Sequence, residues 1–268
     1  MTTFDVPLDT AMFSPQQLHP WTLAGFGMRG WAHWLREHLV SFPALVRDHG
    51  TGVVIVGIEL EYLGPLTFFD ADALQVAYTV RVREAGDLLR LCAEVDARGR
   101  AVACVRLVGR IVRIPEGGTL AARPGVLPGS LLDRFDPDER FDGSVPRVLG
   151  SNIRDVSWSP AASSALRVHR GHCEAADQWL FAELPRIVAD ARETWGLTAG
   201  DDPRARVALG TPLRRFVAEL TRPMFIFDTA TLSTQTDHTG CRYLHQIRGA
   251  THTHATAYEE LGEPSGAP

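Results

Sequence analysis

Two carboxylates stand three positions apart in the stretch GHCEAADQW, which spans residues 171 to 179 at the front of an apolar periodic run. The run reads as the second helix of the chain, so Gly171, His172, Glu174 and Asp177 sit around its start, and the spacing puts both acids on one face of its first turn. A helix N-terminus offers main-chain N–H groups that can polarise a carbonyl as an oxyanion hole does. A carboxylate beside it can serve as base or nucleophile. Acids in a first turn also simply complement the helix dipole, and the sequence leaves both roles open. In QLHPW, residues 17 to 21, His19 precedes the first helix; a histidine before proline also suits a turn or cap.

Other candidates weigh less. Tyr62 and Arg222 flank a proline that recurs in the two halves and could line a groove, although such positions commonly serve packing. Arg29 lies in a glycine-rich helix and could meet a carboxylate or phosphate, or run to solvent. His252 and His254 alternate on one strand face, but no third metal ligand lies near them in sequence. No GxGxxG follows a strand, so no dinucleotide site and no cofactor is expected. Cys92, Cys104, Cys173 and Cys241 are widely spaced and read as buried thiols rather than as a zinc or disulfide framework.

Patterned elements must position these groups. Residues 20 to 42 place Trp31, Trp34, Leu35, Leu39 and Phe42 at helical spacing, and Gly25, Gly27 and Gly30 suggest something packed close to that helix. The period then becomes strand-like through GVVIVGIELEYL, DALQVAYTVRV, LLRLCAEV and AVACVRLVGRIVRI, a meander of about four strands. Residues 115 to 150, rich in Pro, Gly and acids, read as a linker or surface loop. The second half repeats the order: a strand end in ALRVHRGHCE, a helix over residues 174 to 196 that Pro185 should kink or break, then a second meander. Glu61 and Glu219, Pro65 and Pro223, Phe69 and Phe227, Asp70 and Asp228, and Leu74 and Leu232 match at a single offset. Arg36-Glu37 and Arg192-Glu193 add a weaker match. The chain is read as α+β and duplicated, with units at 1–114 and 151–262 and a disordered tail at 263–268.

Composition narrows the partners. The 268 residues carry a net charge of -5 and no lysine, which speaks against nucleic acid as the main partner. No apolar run is long enough to span a bilayer, and MTTFDVPLDT lacks the features of a secretion signal. A cytoplasmic protein without a membrane partner is expected.

The first half, through WLREHL, GIELEYLGPLTFFDADALQV and GRAVACVRLVGRIV, resembles the 4-hydroxybenzoyl-CoA thioesterase-like branch of the hot-dog fold across residues 9 to 114. RPMFIFDTATL, YLHQIR and HATAYEEL extend the resemblance over residues 165 to 260. It implies a long helix wrapped by an antiparallel sheet, twice, as an intramolecular pseudo-dimer that could assemble further. It also implies an acyl thioester of coenzyme A or acyl carrier protein as substrate, in a bacterial biosynthetic pathway of polyketide or fatty-acid type. The expected activity is thioester hydrolysis. Dehydration, acyl transfer, decarboxylation, cyclisation or acyl binding without catalysis remain as alternatives. Related dehydratases pair a histidine from one unit with an acid from the other, which would join His19 to Glu174 or Asp177. The branch's Asp followed by Gly-His-x-Asn is incomplete in both halves: Asp9 lacks the latter, and Gly171-His172 lacks the former.

Overall fold

β-Branched alternation and tight turns build one continuous antiparallel sheet in the computed structural model, which describes residues 1–114, 122–138, 145–175 and 177–262. The first half contributes β1 (Thr2–Pro7), β2 (Thr51–Tyr62), β3 (Ala73–Val82), β4 (Leu88–Ala97) and β5 (Arg100–Arg113). The second contributes β8 (Ala162–Arg167), β9 (Leu213–Leu220), β10 (Thr229–Thr236), β11 (Arg242–Arg248) and β12 (Thr253–Leu261). Between them the short strand β6 (Arg123–Pro124) pairs antiparallel with β5, and β7 (Asp136–Pro137) is the exception that pairs parallel, with β3. The main path runs β1-β3-β4-β5-β2-β9-β12-β11-β10-β8. Reading outward from the central β2–β9 seam, the two halves have the same strand order.

The seam registers the duplication. Gly57 faces Glu219 and Glu61 faces Arg215, so the offset that relates Glu61 to Glu219 carries this pairing onto itself. Glu59 bonds Arg215 across the seam and lies 3.4 Å from Arg106. The matched aspartates have one structural task. Asp70 accepts the Thr67 N–H at 2.6 Å, and Asp228 accepts the Phe225 N–H at 2.8 Å. Each closes the turn that leads to a matched buried leucine, Leu74 or Leu232.

The first helical run divides into α1 (Pro20–His38) and α2 (Phe42–His49), where Ser41 caps α2 by accepting the Ala44 N–H. Gly27 and Gly30 of α1 lie so near Leu107 and Tyr78 that a Cβ would collide, whereas Gly25 has open space around it. The segment 115–150 includes α3 (Gly129–Leu132) and the start of α4 (Val145–Ile153), which crosses the seam and buries Leu149 against Val217 and Tyr258. Residues 115–121 and 139–144 of that segment, and the expected tail 263–268, lie outside the described residues.

In the second half a 3-10 turn (Phe181–Glu183) leads into α5 (Leu184–Thr198), and α6 (Pro203–Gly210) follows. The expectation of a helix from residue 174 is corrected here. Pro185 occupies the first turn of α5 and neither kinks nor breaks it, because a proline there forfeits no intrahelical bond. The helical match of Arg36-Glu37 with Arg192-Glu193 does not survive either. The His19 N–H bonds Met12 C=O, and the Leu180 N–H bonds His172 C=O, so His19 and Leu180 are equivalent and Arg192 corresponds to Trp31.

That equivalence exposes a contrast in the core. Trp31, Tyr78, Ala93 and Leu107 belong to the buried core of the first unit. Their counterparts are Arg192, Thr234, His245 and Glu259, all buried. Arg192 Nε bonds Glu259 Oε2 at 3.0 Å, and His245 Nε2 meets the same oxygen at 3.1 Å. His245 Nδ1 lies 3.1 Å from the Thr234 hydroxyl, and Arg192 also donates to Ala208 C=O at the end of α6. Burial alone would raise the Glu259 carboxyl; Arg192 and His245 outweigh it and hold it below the usual range.

Candidate functional site

β2 and β9 stay paired only from Gly57 to Glu61 on β2. Beyond Gly57 they diverge, and a cavity of about 610 Å³ opens in the fork. Val53 to Val56 form one wall, Leu220 to Pro223 the other, and Met28 of α1 reaches it from the first unit's helix. Trp179 and Phe181, both buried, bring apolar surface from the segment ahead of α5. Arg110, Arg123 and Arg222 are also part of the lining, and among the described residues its one carboxylate is Glu174.

A hairpin-like turn positions Glu174. Bridges pair Cys173 with Trp179 and Gln178 with Phe225. The Glu174 N–H bonds Gln178 C=O at 2.9 Å, the Trp179 N–H bonds Met224 C=O at 2.9 Å, and the Ile226 N–H bonds Asp177 C=O at 2.8 Å. The Gln178 side-chain amide donates to the Glu174 carboxylate. Glu174 and Asp177 therefore share this turn rather than a first helical turn. Asp177 adopts a left-handed conformation (φ 56°) and lies outside the cavity lining. Helical periodicity misplaced the acids because Trp179, Leu180 and Phe181 read equally well as part of an apolar helix face.

The helix start itself lies further on. The Glu183 N–H makes the first bond of the 3-10 turn, to Leu180 C=O, so the N–H groups of Phe181 and Ala182 precede it. Phe181 lines the cavity. Gly171 and His172 occupy a 3-10 turn upstream, where His172 Nδ1 accepts the His169 N–H at 3.3 Å.

The remaining sequence candidates are dispersed. His19 precedes α1 as its N-cap without a side-chain cap bond and stacks on Trp21 at 3.7 Å between centroids. Burial, and then Arg186, which lies over Trp21, lower its pKa. It is not in the cavity lining that contains Glu174. Tyr62 is buried, and its phenol donates to Leu18 C=O at 2.6 Å. Arg29 is exposed, over the Phe26 ring. Arg222 lines both the fork and an adjoining cavity of about 470 Å³ that contains His252 and His254. The His254 Nδ1–H points to Pro223 and Arg222 carbonyls at 3.2 and 3.4 Å. Among the described residues no group of three side chains could hold a metal ion, and no helix is long and apolar enough to cross a membrane.

Sequence reasoning missed Gln178, Trp179 and Phe181 as cavity residues. The recurrent proline at 223 was legible, but not that the segment after it would pair with the turn before α5.

No protein-family model and no curated protein sequence matches the chain. Solved structures do. A protein designated an oleoyl thioesterase from Lactobacillus plantarum superposes with a TM-score of 0.74 at 9% identity, over 97% of this chain and 94% of that one. An acyl-ACP thioesterase from Bacteroides thetaiotaomicron gives 0.70 at 10%, over 97% of both chains. A 12:0-ACP thioesterase from Umbellularia californica gives 0.69 at 10%, over 97% and 96%. The chain folds as two hot-dog units. The cavity thus lies where the pseudo-dimer's two halves meet, with Glu174 supplied by the second unit and most of the strand edge by the first.

Proposed function

We propose that the protein hydrolyses an acyl thioester carried by coenzyme A or an acyl carrier protein, with the fork as its active site. The observation that carries this reading is that Glu174 is the single carboxylate among the described residues of a cavity lined by Met28, Trp179 and Phe181 and by three arginines. The names of the structural neighbours agree with it. The acyl group packs on Met28, Trp179 and Phe181. The N–H groups of Phe181 and Ala182 polarise the thioester carbonyl, and negative charge that develops on its oxygen is held there. Glu174, oriented by the Gln178 amide, takes a proton from water as the water oxygen attacks the carbonyl carbon. The tetrahedral intermediate then releases the thiolate, which is protonated, and leaves the free acid. Division into units at 1–114 and 151–262, and a cytoplasmic setting in a biosynthetic pathway, belong to the same proposal.

Incubation with a panel of acyl-CoA and acyl-carrier thioesters, followed by mass spectrometry, tests it. Wild-type protein should release free acid and free thiol together. Glu174→Gln should lower kcat by about 10²–10⁴-fold with unchanged melting, whereas Asp177→Asn should leave kcat near wild type. Full activity in Glu174→Gln removes Glu174 from the mechanism. Thioester that is bound but never turned over would instead identify a non-catalytic acyl-binding protein.

A further inference from the structure

Among the described residues the fork leaves a strand edge without a strand partner, and its register shows which main-chain groups face the cavity. The Ile111 N–H donates to Asp87 C=O at 2.9 Å, and Ile111 C=O accepts the Gly125 N–H at 3.1 Å. Both partners lie on the β4 and β6 side of β5, so Ile111 turns its polar groups away from β2. By antiparallel alternation Arg110 and Val112 turn theirs toward β2, where they face Val54 and Gly52. Val53 and Ile55 must then direct their N–H and C=O groups to the opposite edge, the one β9 has left. The register shift between Ile55 and Gly57 reverses the alternation, and from Ile58 onward this edge is used by β9. Val53 and Ile55 are thus a short, half-buried strand edge aimed into the cavity.

Such an edge recognises an extended chain that carries amides, because main-chain groups pair with amides whatever side chains accompany them. The phosphopantetheine arm common to coenzyme A and acyl carrier proteins is such a chain: two amides separated by two methylenes, a thioester at one end and a phosphate at the other. Arg110 of β5, opposite Val54, and Arg123 of β6, opposite Arg113, line the same cavity one and two strands across from that edge, and give the phosphate cationic partners there. We propose that the arm binds as an added strand on β2, its amides hydrogen-bonded to the main chain of Val53 and Ile55. This rests on the thioester reading for the identity of the ligand but not on any catalytic step.

The same geometry makes the second fork a built-in control. Its edge, at the start of β9, is preceded by Gly210, whose C=O is taken by the Gln16 side chain at 3.2 Å, and the Thr211 N–H is bonded to Val207 C=O.

Residue-resolved hydrogen exchange of the full chain, with and without the thioether S-hexyl-CoA or an acyl carrier protein bearing an S-hexyl arm, reads the contact directly. Exchange at Val53 and Ile55 should slow at least about tenfold on saturation, whereas Val54, already in the ladder, should change little. The carrier that protects at lower concentration identifies the delivering partner. Val53→Pro, which removes a cavity-facing N–H at an edge position that tolerates proline, should weaken S-hexyl-CoA about two- to tenfold without lowering the melting temperature. Binding without protection of Val53 and Ile55, or no binding of either probe, overturns the proposal. Protection together with an absence of thioester turnover would sink the hydrolase reading and leave the docking mode standing.

Discussion

Trp31 and Arg192 hold equivalent places in two copies of one fold, yet one stacks on Trp34 and Phe135 and the other is tied to Glu259, which also binds His245. Two forks show the same divergence. At the first fork the turn before α5 presents Glu174; at the second the corresponding turn before α1 has Ser14, whose hydroxyl bonds Gln17 C=O within its own turn. A pair of identical subunits could not differ in this way. Joined in one chain, each half is free to change alone: here the second has acquired a charged core and the acid, and the first the open strand edge.

The largest effect should come from breaking the charged core. Arg192→Ala leaves Glu259 buried with a lost partner and should cost about 3–5 kcal/mol, read as a fall in melting temperature on the order of 10 °C. Replacing the triad by apolar residues, Arg192→Met with His245→Val and Glu259→Val, should be neutral or stabilising by about 1–4 kcal/mol. If it instead unfolds the protein, the two cores are not interchangeable solutions to the same packing problem.

Acid titration sharpens the same contrast. Glu259 has a depressed folded-state pKa, so its contribution is present above the ordinary carboxylate value of about 4.3 and lost as pH falls through the lower folded value. Wild-type stability should therefore fall more steeply below about pH 4 than that of the apolar triple variant, as followed by denaturant midpoints. Equal slopes would mean that the triad does not set acid stability.

Smaller effects probe the duplicated turns. Asp70→Ala and Asp228→Ala each remove an acceptor for one main-chain N–H and should each cost about 1 kcal/mol. Only the second should also alter ligand affinity, since Phe225 lines the open fork. Gln16→Ala removes one exposed bond at the second fork and should cost less than about 1 kcal/mol. A second ligand site appearing in that variant would show that Gln16 alone keeps the fork shut.

Much of this was legible before the structure. The shared offset of Pro65 and Pro223, and of Asp70 and Asp228, marked the duplication because both halves need the same turn. Period-two alternation located the principal strands, and the glycines of α1 announced its close approach at Gly27 and Gly30. The core triad was hidden, since Arg192, His245 and Glu259 are far apart in sequence and each reads as a surface residue until strand pairing joins them. The helix start was misread because the apolar residues of a docked turn and of a helix face look alike in one dimension. Glu174 was legible as a candidate acid, but its surroundings arise from the segment 223–226 and from β2, which no local pattern connects.

Ligand stoichiometry tests the asymmetry most directly. Native mass spectrometry of the intact chain with S-hexyl-CoA should show one bound molecule per chain, lost when Val53→Pro and Arg222→Ala are combined. Two molecules bound with similar affinity would contradict the account, since both forks would then be open and the divergence of the two halves would not have produced a single site.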